Sequence, residues 1–105
     1  MQFDTIIQGG TVVDGTGKRP PFPADLGIVQ DEITAIGELD DAHASRTIDA
    51  RGKAVSPGFI DVHIHSEIAL LGGRDQMGSV RQGVTTQLSG PDGFGWAPLP
   101  PNLIE

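Results

Sequence analysis

Short apolar runs separated by turn residues follow one another through the first half of the chain. Residues 24–29 alternate between the two faces expected of a strand, and no segment in this half shows the 3.6-residue period of a helix. Residues 3–8 and 11–13 flank Gly9-Gly10 and are predicted to form a β-hairpin. The pattern therefore predicts about six short strands, arranged as a small β-sandwich or β-roll.

The hydrophobic pattern changes at Pro57-Gly58. In residues 59–65 the apolar positions do not alternate strictly, which is typical of a strand buried on both faces in a parallel sheet. Residues 68–71 and 75–82 then show helical character, and residues 84–88 form a second β-rich run. This order of strand, helix and strand predicts a βαβ unit with parallel strands.

A sheet of two parallel strands needs further strands and covering helices to bury its faces. The chain has 105 residues, whereas a complete eight-fold β/α barrel takes about 250. We therefore expect either that another chain completes this sheet or that the sequence is the front part of a longer protein.

Charge and cysteine content narrow the possible partners and the compartment. Fourteen acidic against seven basic residues give a net charge of -7, which disfavours nucleic acid and anionic membranes as partners. The absence of Cys excludes disulfides, zinc-finger frameworks and thiol nucleophiles. No apolar run approaches the roughly 18 residues of a membrane span, and the first residues do not have the pattern of a signal peptide. A cytoplasmic protein is expected.

The sequence His63-Ile64-His65 ends the β-rich run that begins at Phe59. Side chains two residues apart on a strand point to the same face, with Cα atoms about 7 Å apart. Two neutral imidazoles in that arrangement can bind one zinc or related divalent ion, although at least one further ligand is needed. The same pair also fits two polar residues near a strand end.

Three acidic residues near this pair each have two interpretations. Asp61 is either a carboxylate that accepts an N–H from a ligating imidazole or a surface residue. Glu67 either meets a polar group of a substrate or stabilises a helix start. Asp92 follows the second β-rich run, so a parallel arrangement would place it on the same side of the sheet as the His pair. It is either a metal ligand or part of a Pro-Asp-Gly turn.

Taken together, residues 54–65, which contain Pro57-Gly58 followed by Phe59-Ile60-Asp61 and the His pair, resemble the signature of the amidohydrolase superfamily. Residues 80–86 look most like the D-aminoacylases, also called N-acyl-D-amino-acid deacylases. The resemblance extends in register over nearly the entire chain. The other segments that carry it are residues 7–17, 31–37 and 48–53.

The resemblance implies an α/β fold with an all-β N-terminal part. Residues 1–57 would be part of a small β-sandwich domain, and residues 58–105 would be strands 1 and 2 of a (β/α)8 barrel that is truncated here. The remainder of the barrel, from the same or another chain, would then be needed. The catalytic general base would lie beyond Glu105, so the 105-residue chain alone is expected to be inactive.

The resemblance also implies an activity: hydrolysis of the amide of N-acyl (D-)amino acids or similar small molecules by a metal-activated water. The metal is a divalent ion, expected to be zinc, with His63 and His65 as ligands. Asp92 stands where D-aminoacylases carry a Cys ligand, so an oxygen would replace the thiolate, and Glu67 is the candidate substrate-binding residue. The alternatives are a cyclic amide hydrolase of the dihydroorotase or hydantoinase type and a non-catalytic β-rich module.

Overall fold

The structure, a computed structural model, describes residues 2–66, 69, 72–73, 77–93 and 95. It is mostly β-strand with little helix and divides into two compact units, residues 1–57 and 58–105. The strands of the first unit are β1 (Gln2–Val12), β2 (Phe22–Val29), β3 (Glu32–Gly37), β4 (His43–Asp49) and β5 (Ala54–Val55). The second unit contains β6 (Phe59–Ile64), α1 (Met77–Val80), β7 (Val84–Ser89) and a 3-10 turn (Pro91–Gly93).

The first unit is one mixed sheet with β1 at its centre. The strand order is β3-β2-β1-β4, and the short β5 also pairs with β1. β1 runs antiparallel to β2 and parallel to β4 and β5. The buried apolar side chains come mainly from β1 and its neighbours, and they are Phe3, Ile6, Val12, Leu26 and Ala50.

The predicted hairpin at Gly9-Gly10 is wrong, because β1 continues through both glycines. Ile7 pairs with Leu26, but Gly10 pairs with Ala24, so the register shifts at this point. Gly9 has a φ of 72°, a left-handed conformation that glycine adopts readily. Both a β-bulge and a tight turn can require this conformation. The extra residue is therefore absorbed as a bulge, and strands on both sides of β1 hold it in the sheet.

A buried carboxylate fixes this bulge. Asp25 is only 7% exposed, and its Oδ1 accepts the N–H of Gly9 at 2.7 Å. Its Oδ2 accepts the N–H of Leu39 at 3.0 Å. Two hydrogen bonds from backbone groups offset much of the cost of burying a charged carboxylate. Asp25 thus ties the bulge in β1 to the segment that follows β3.

One strand prediction for the first unit is confirmed, because residues 24–29 lie in β2. The described residues of this unit form a single sheet, so the second layer of a β-sandwich stays a prediction. Among the described helical residues there is no segment of the length and apolar character that a membrane span requires.

In the second unit β6 and β7 pair in parallel, as the order of strands and helix predicts. The helix α1, before β7, is a single turn of 4 residues. The helical turn predicted for residues 68–71 lies largely outside the described residues. Ile60, Val62 and Leu88 leave more than half of their surface exposed on this pair of strands. The placement of β6 and β7 in a barrel stays a prediction.

Close contact between β1 and β2 yields a first test. A Cβ atom on Gly27 would collide with the ring of Phe3, which is 2% exposed and cannot move into solvent. Gly27→Ala should therefore lower the free energy of unfolding by about 1–3 kcal/mol, measured by urea denaturation followed by circular dichroism.

The matched control is Gly78→Ala in α1, where the added methyl group meets no atom within 4 Å and alanine favours the helix. It should leave stability unchanged or raise it. Adding Phe3→Leu to Gly27→Ala should cost less than the sum of the two single changes. Equal stability of Gly27→Ala and the wild type would contradict the packing described here.

An exposed ion pair follows the end of β4. The guanidinium of Arg51 donates from Nε to Asp49 Oδ1 at 2.9 Å and from NH2 to Oδ2 at 2.7 Å, and the Arg51 N–H also donates to Oδ1. The side-chain hydrogen bonds, followed by the backbone one, hold the pKa of Asp49 well below its usual range. The side-chain hydrogen bonds, followed by the charge of Asp49, raise the pKa of Arg51. Because both side chains are mostly exposed, the contribution to stability is small.

The sign of its pH dependence follows from the lowered pKa. The ionised form of Asp49 favours the folded state, so its contribution is complete above the unfolded pKa of about 4 and is lost as pH falls towards the lower folded value. Asp49→Asn should lower the urea midpoint at pH 7, and the difference from wild type should shrink steadily below about pH 4. A difference that grows as the pH falls would contradict this account.

Candidate metal centre

Two parallel strands bring three metal-binding side chains to one edge of the sheet. His63 is in β6, and His65 follows the last residue of that strand. Asp92 is in the 3-10 turn that begins two residues after the end of β7. Ile64 lies opposite Ser89, so both strands end at the same edge. The parallel register therefore determines which loops can meet.

The three side chains converge on a single point. Nε2 of His63 lies 3.2 Å from Oδ2 of Asp92, and Nε2 of His65 lies 3.5 Å from the same oxygen. The imidazole rings are T-shaped, with centroids 5.5 Å apart and an interplanar angle of 77°. One ligand atom from each residue lies within 4.8 Å of the other two. The two imidazoles and the carboxylate thus form one cluster, called here the His-His-Asp cluster.

The spacing and chemistry of the His-His-Asp cluster fit a zinc-type ion. Tetrahedral bonds of about 2.0–2.2 Å place neighbouring ligand atoms about 3.3–3.6 Å apart, close to the separations found between the carboxylate oxygen and each imidazole. Imidazole nitrogen and carboxylate oxygen are both zinc ligands, and catalytic zinc sites use three protein ligands and leave one position open. All three side chains are about half exposed, so a fourth position is open to a small molecule.

The conformation of Asp92 explains how its carboxylate reaches the imidazoles. Its φ is 57°, in the left-handed region that few residues other than glycine adopt but that aspartate tolerates. Gly90 and Gly93 on either side also have positive φ, of 87° and 78°. Asp92 therefore lies in a turn, as one interpretation of the sequence predicts, and that turn presents its carboxylate to the His pair. Its role as a metal ligand stays a prediction.

Asp61 contacts the backbone of the strand that carries the cluster. Its Oδ1 accepts the N–H of His63 at 3.2 Å. The ladder between β6 and β7 shifts register between Asp61 and Ile64, so the side chain supplies an acceptor where the pairing is irregular. One interpretation of the sequence predicts that Asp61 accepts an N–H from an imidazole. The described contact of Asp61 is instead with a backbone amide.

Sequence reasoning missed a polar bridge beside the cluster. Gln87 in β7 accepts from the hydroxyl of Ser66 at 3.1 Å and donates to the hydroxyl of Ser79 at 3.0 Å. The available signal was a long polar side chain in the middle of a β-rich run. Glu67, the candidate substrate-binding residue, lies outside the described residues, so its role stays a prediction.

Comparisons with known proteins point to one group of hydrolases. The chain is 46% identical to D-aminoacylase from Alcaligenes xylosoxydans xylosoxydans over 97 residues, which are 92% of the chain. A solved D-aminoacylase with a binuclear metal centre superposes with a TM-score of 0.83 over 92% of the chain, at 49% identity. N-acyl-D-glutamate deacylase from Bordetella bronchiseptica, solved with zinc and a phosphonate inhibitor, gives a TM-score of 0.78 over 86% of the chain, at 43% identity.

Similarity to cyclic amide hydrolases is less extensive. Dihydroorotase from Bacillus subtilis is 40% identical over 60 residues, which are 57% of the chain. No protein-family model matches the sequence.

The deacylases thus match most of this chain, with high identity and the same backbone course. The chain spans only about a fifth of the length of these proteins, 20% for the D-aminoacylase from Alcaligenes. Over most of its length the chain is therefore homologous to one part of the D-aminoacylases and N-acyl-D-amino-acid deacylases, which are members of the amidohydrolase superfamily.

Proposed function

We propose that the protein containing this chain is a metal-dependent deacylase that hydrolyses the amide bond of N-acyl D-amino acids. The observation that carries this proposal is the His-His-Asp cluster, in which three ligand atoms within 4.8 Å of one another lie at the carboxyl edge of two parallel strands. The extensive similarity to D-aminoacylase supports the substrate class.

In the proposed reaction the oxygen of a water molecule adds to the acyl carbonyl carbon, and the C–N bond then breaks to leave a carboxylate and a free amine. His63 and His65 would hold a divalent ion through imidazole nitrogens, and Asp92 would hold it through a carboxylate oxygen. When bound, that ion would activate the water and polarise the acyl carbonyl. The general base that accepts the proton of the water and returns it to the amine nitrogen is assigned to a part of the protein outside this chain.

We assign zinc to the cluster, with Asp92 as an oxygen ligand beside two nitrogens. Two imidazoles and one carboxylate form a donor set that zinc accepts in hydrolytic enzymes. The deacylase from Bordetella bronchiseptica was solved with zinc, which supports the same choice here. Glu67, which follows His65 by two residues in sequence, is proposed to bind the substrate.

We also propose that β6 and β7 are the first two strands of a (β/α)8 barrel. Their parallel pairing is the pairing that such a barrel uses throughout. The exposed apolar side chains of Ile60, Val62 and Leu88 would be covered by the other strands and helices of the barrel. Active sites of these barrels lie at the carboxyl ends of the strands, which is where the His-His-Asp cluster lies.

A cyclic amide hydrolase is the alternative, favoured by the match to dihydroorotase. Ring opening uses the same water attack, so the cluster does not separate the two activities. The two activities differ in the substrate. The D-aminoacylase match covers 92% of the chain and the dihydroorotase match covers 57%, which supports an open-chain amide as the substrate.

The full-length protein tests this proposal. Purified with its metal, it should contain zinc by elemental analysis and should hydrolyse N-acetyl-D-amino acids faster than their L-enantiomers, dihydroorotate or hydantoins. His63→Ala should lose its bound zinc, and its turnover should fall at least about 10–100-fold. Replacing a residue that contacts only the ligands of a metal already costs about that much.

His43→Ala is the matched control, because His43 is an exposed histidine in β4, outside the cluster. It should retain both zinc and turnover. Wild-type zinc content and turnover in His63→Ala would refute the ligand assignment. Preference for a cyclic substrate would replace the deacylase proposal with the alternative.

Asp92→Asn tests the charge of the third ligand. Asparagine tolerates the left-handed backbone at this position, so the turn should persist while the anionic oxygen is lost. Zinc affinity, measured by competition with a chromogenic chelator, should fall at least about 10-fold with little change in thermal stability of the metal-free protein. An unchanged affinity would show that Asp92 is not a ligand.

A further inference from the structure

The side-chain amide of Gln87 joins the segment after β6 to the helix before β7. Its Oε1 accepts the hydroxyl of Ser66 at 3.1 Å, and its Nε2 donates to the hydroxyl of Ser79 in α1 at 3.0 Å. Ser66 is 8% exposed and directly follows His65. Gln87 itself is half-buried, in contrast to the exposed Thr86 and Leu88 beside it. The bridge therefore fixes a buried hydroxyl one residue from a proposed ligand.

Backbone pairing is irregular directly after Gln87. The paired residues of β6 and β7 pass from Asp61 and Gln87 directly to Ile64 and Ser89, with a register shift between them. His63 therefore lies within the irregular part of the ladder, and His65 lies beyond the end of β6. Regular strand pairing cannot by itself set the position of either imidazole.

We propose that Gln87 is a positioning residue of the metal centre, holding Ser66 against β7 so that His65 Nε2 stays within reach of Asp92. This inference rests on the proposed function only in taking His65 as a metal ligand. The deacylase activity itself is not required for it. Residues outside the first set of ligands commonly tune metal affinity by fixing ligand orientation.

The chemistry of the bridge explains why glutamine suits this position. One end of the amide accepts a hydrogen bond and the other donates, so each serine hydroxyl is satisfied at once. Methionine has a similar length but offers neither strong bond. Glutamate can accept from both hydroxyls, because the hydroxyl of Ser79 is free to rotate and act as a donor. The two substitutions therefore separate the hydrogen bonds from the volume of the side chain.

The test compares the zinc affinity of full-length variants, measured by competition with a chromogenic chelator, with the thermal stability of their metal-free forms. Gln87→Met should weaken zinc binding about 10–100-fold while the metal-free protein keeps its far-ultraviolet circular dichroism. Gln87→Glu should recover most of the affinity. Gln82→Met is the matched control, because the exposed side chain of Gln82 donates to the carbonyl of Gly78 and makes no contact with Ser66 or Gln87 among the described hydrogen bonds. This variant should bind zinc like the wild type.

A second variant covers the case in which Gln87→Met does not fold. Ser66→Ala removes the same bond from its other end, and it should cause a comparable loss of affinity. The double variant of Ser66→Ala and Gln87→Met should lose little more than either single change, since both break one bridge. Wild-type affinity in Ser66→Ala or in folded Gln87→Met would overturn the inference.

His65→Ala, measured in the same way, separates this inference from the proposed function. Loss of zinc in His65→Ala with wild-type affinity in Gln87→Met would leave the ligand assignment intact and refute the role of Gln87. Wild-type affinity in His65→Ala would refute the ligand assignment and, with it, the positioning role. Zinc binding that depends on Gln87 in a protein without deacylase activity would support the positioning role and refute the proposed substrate.

Discussion

The parallel pairing of β6 with β7 places the ends of both strands at one edge of the sheet, where Ile64 lies opposite Ser89. The candidate site depends on this constraint, because the chain leaves β6 through His65 and leaves β7 towards Asp92 within a few residues of each other. An antiparallel arrangement would send the two segments to opposite edges. The proposed ligands His65 and Asp92 are separated by 26 residues in sequence. The direction of the two strands thus brings them together before any side-chain contact contributes.

Local rules of chain geometry predict much of the site. The two-residue period of a strand predicts that His63 and His65 lie close together, and their rings do. The direction of parallel strands predicts that Asp92 lies on the same side, and its carboxylate is 3.2 Å from the first imidazole. The strand predicted for residues 24–29 also forms, although burial along it does not alternate, because Asp25, Leu26 and Gly27 are all buried.

Features that depend on distant partners could not be predicted in the same way. Two adjacent glycines fit a turn as well as a bulge, and the bulge at Gly9 is selected by Asp25, sixteen residues away in sequence. The bridge made by Gln87 depends on Ser66, twenty-one residues earlier, and a polar residue in a β-rich run does not reveal its partner. The assignment of the His-His-Asp cluster as a ligand set stays a proposal that joins these local and distant contacts.

The most direct test of the central claim is a crystal structure of the full-length protein with its metal, using anomalous scattering at the zinc edge to locate the ion. This account predicts one zinc ion within about 2.0–2.2 Å of Nε2 of His63, Nε2 of His65 and an oxygen of Asp92. An ion bound elsewhere, or imidazoles of His63 and His65 that point to different sides of β6, would contradict it.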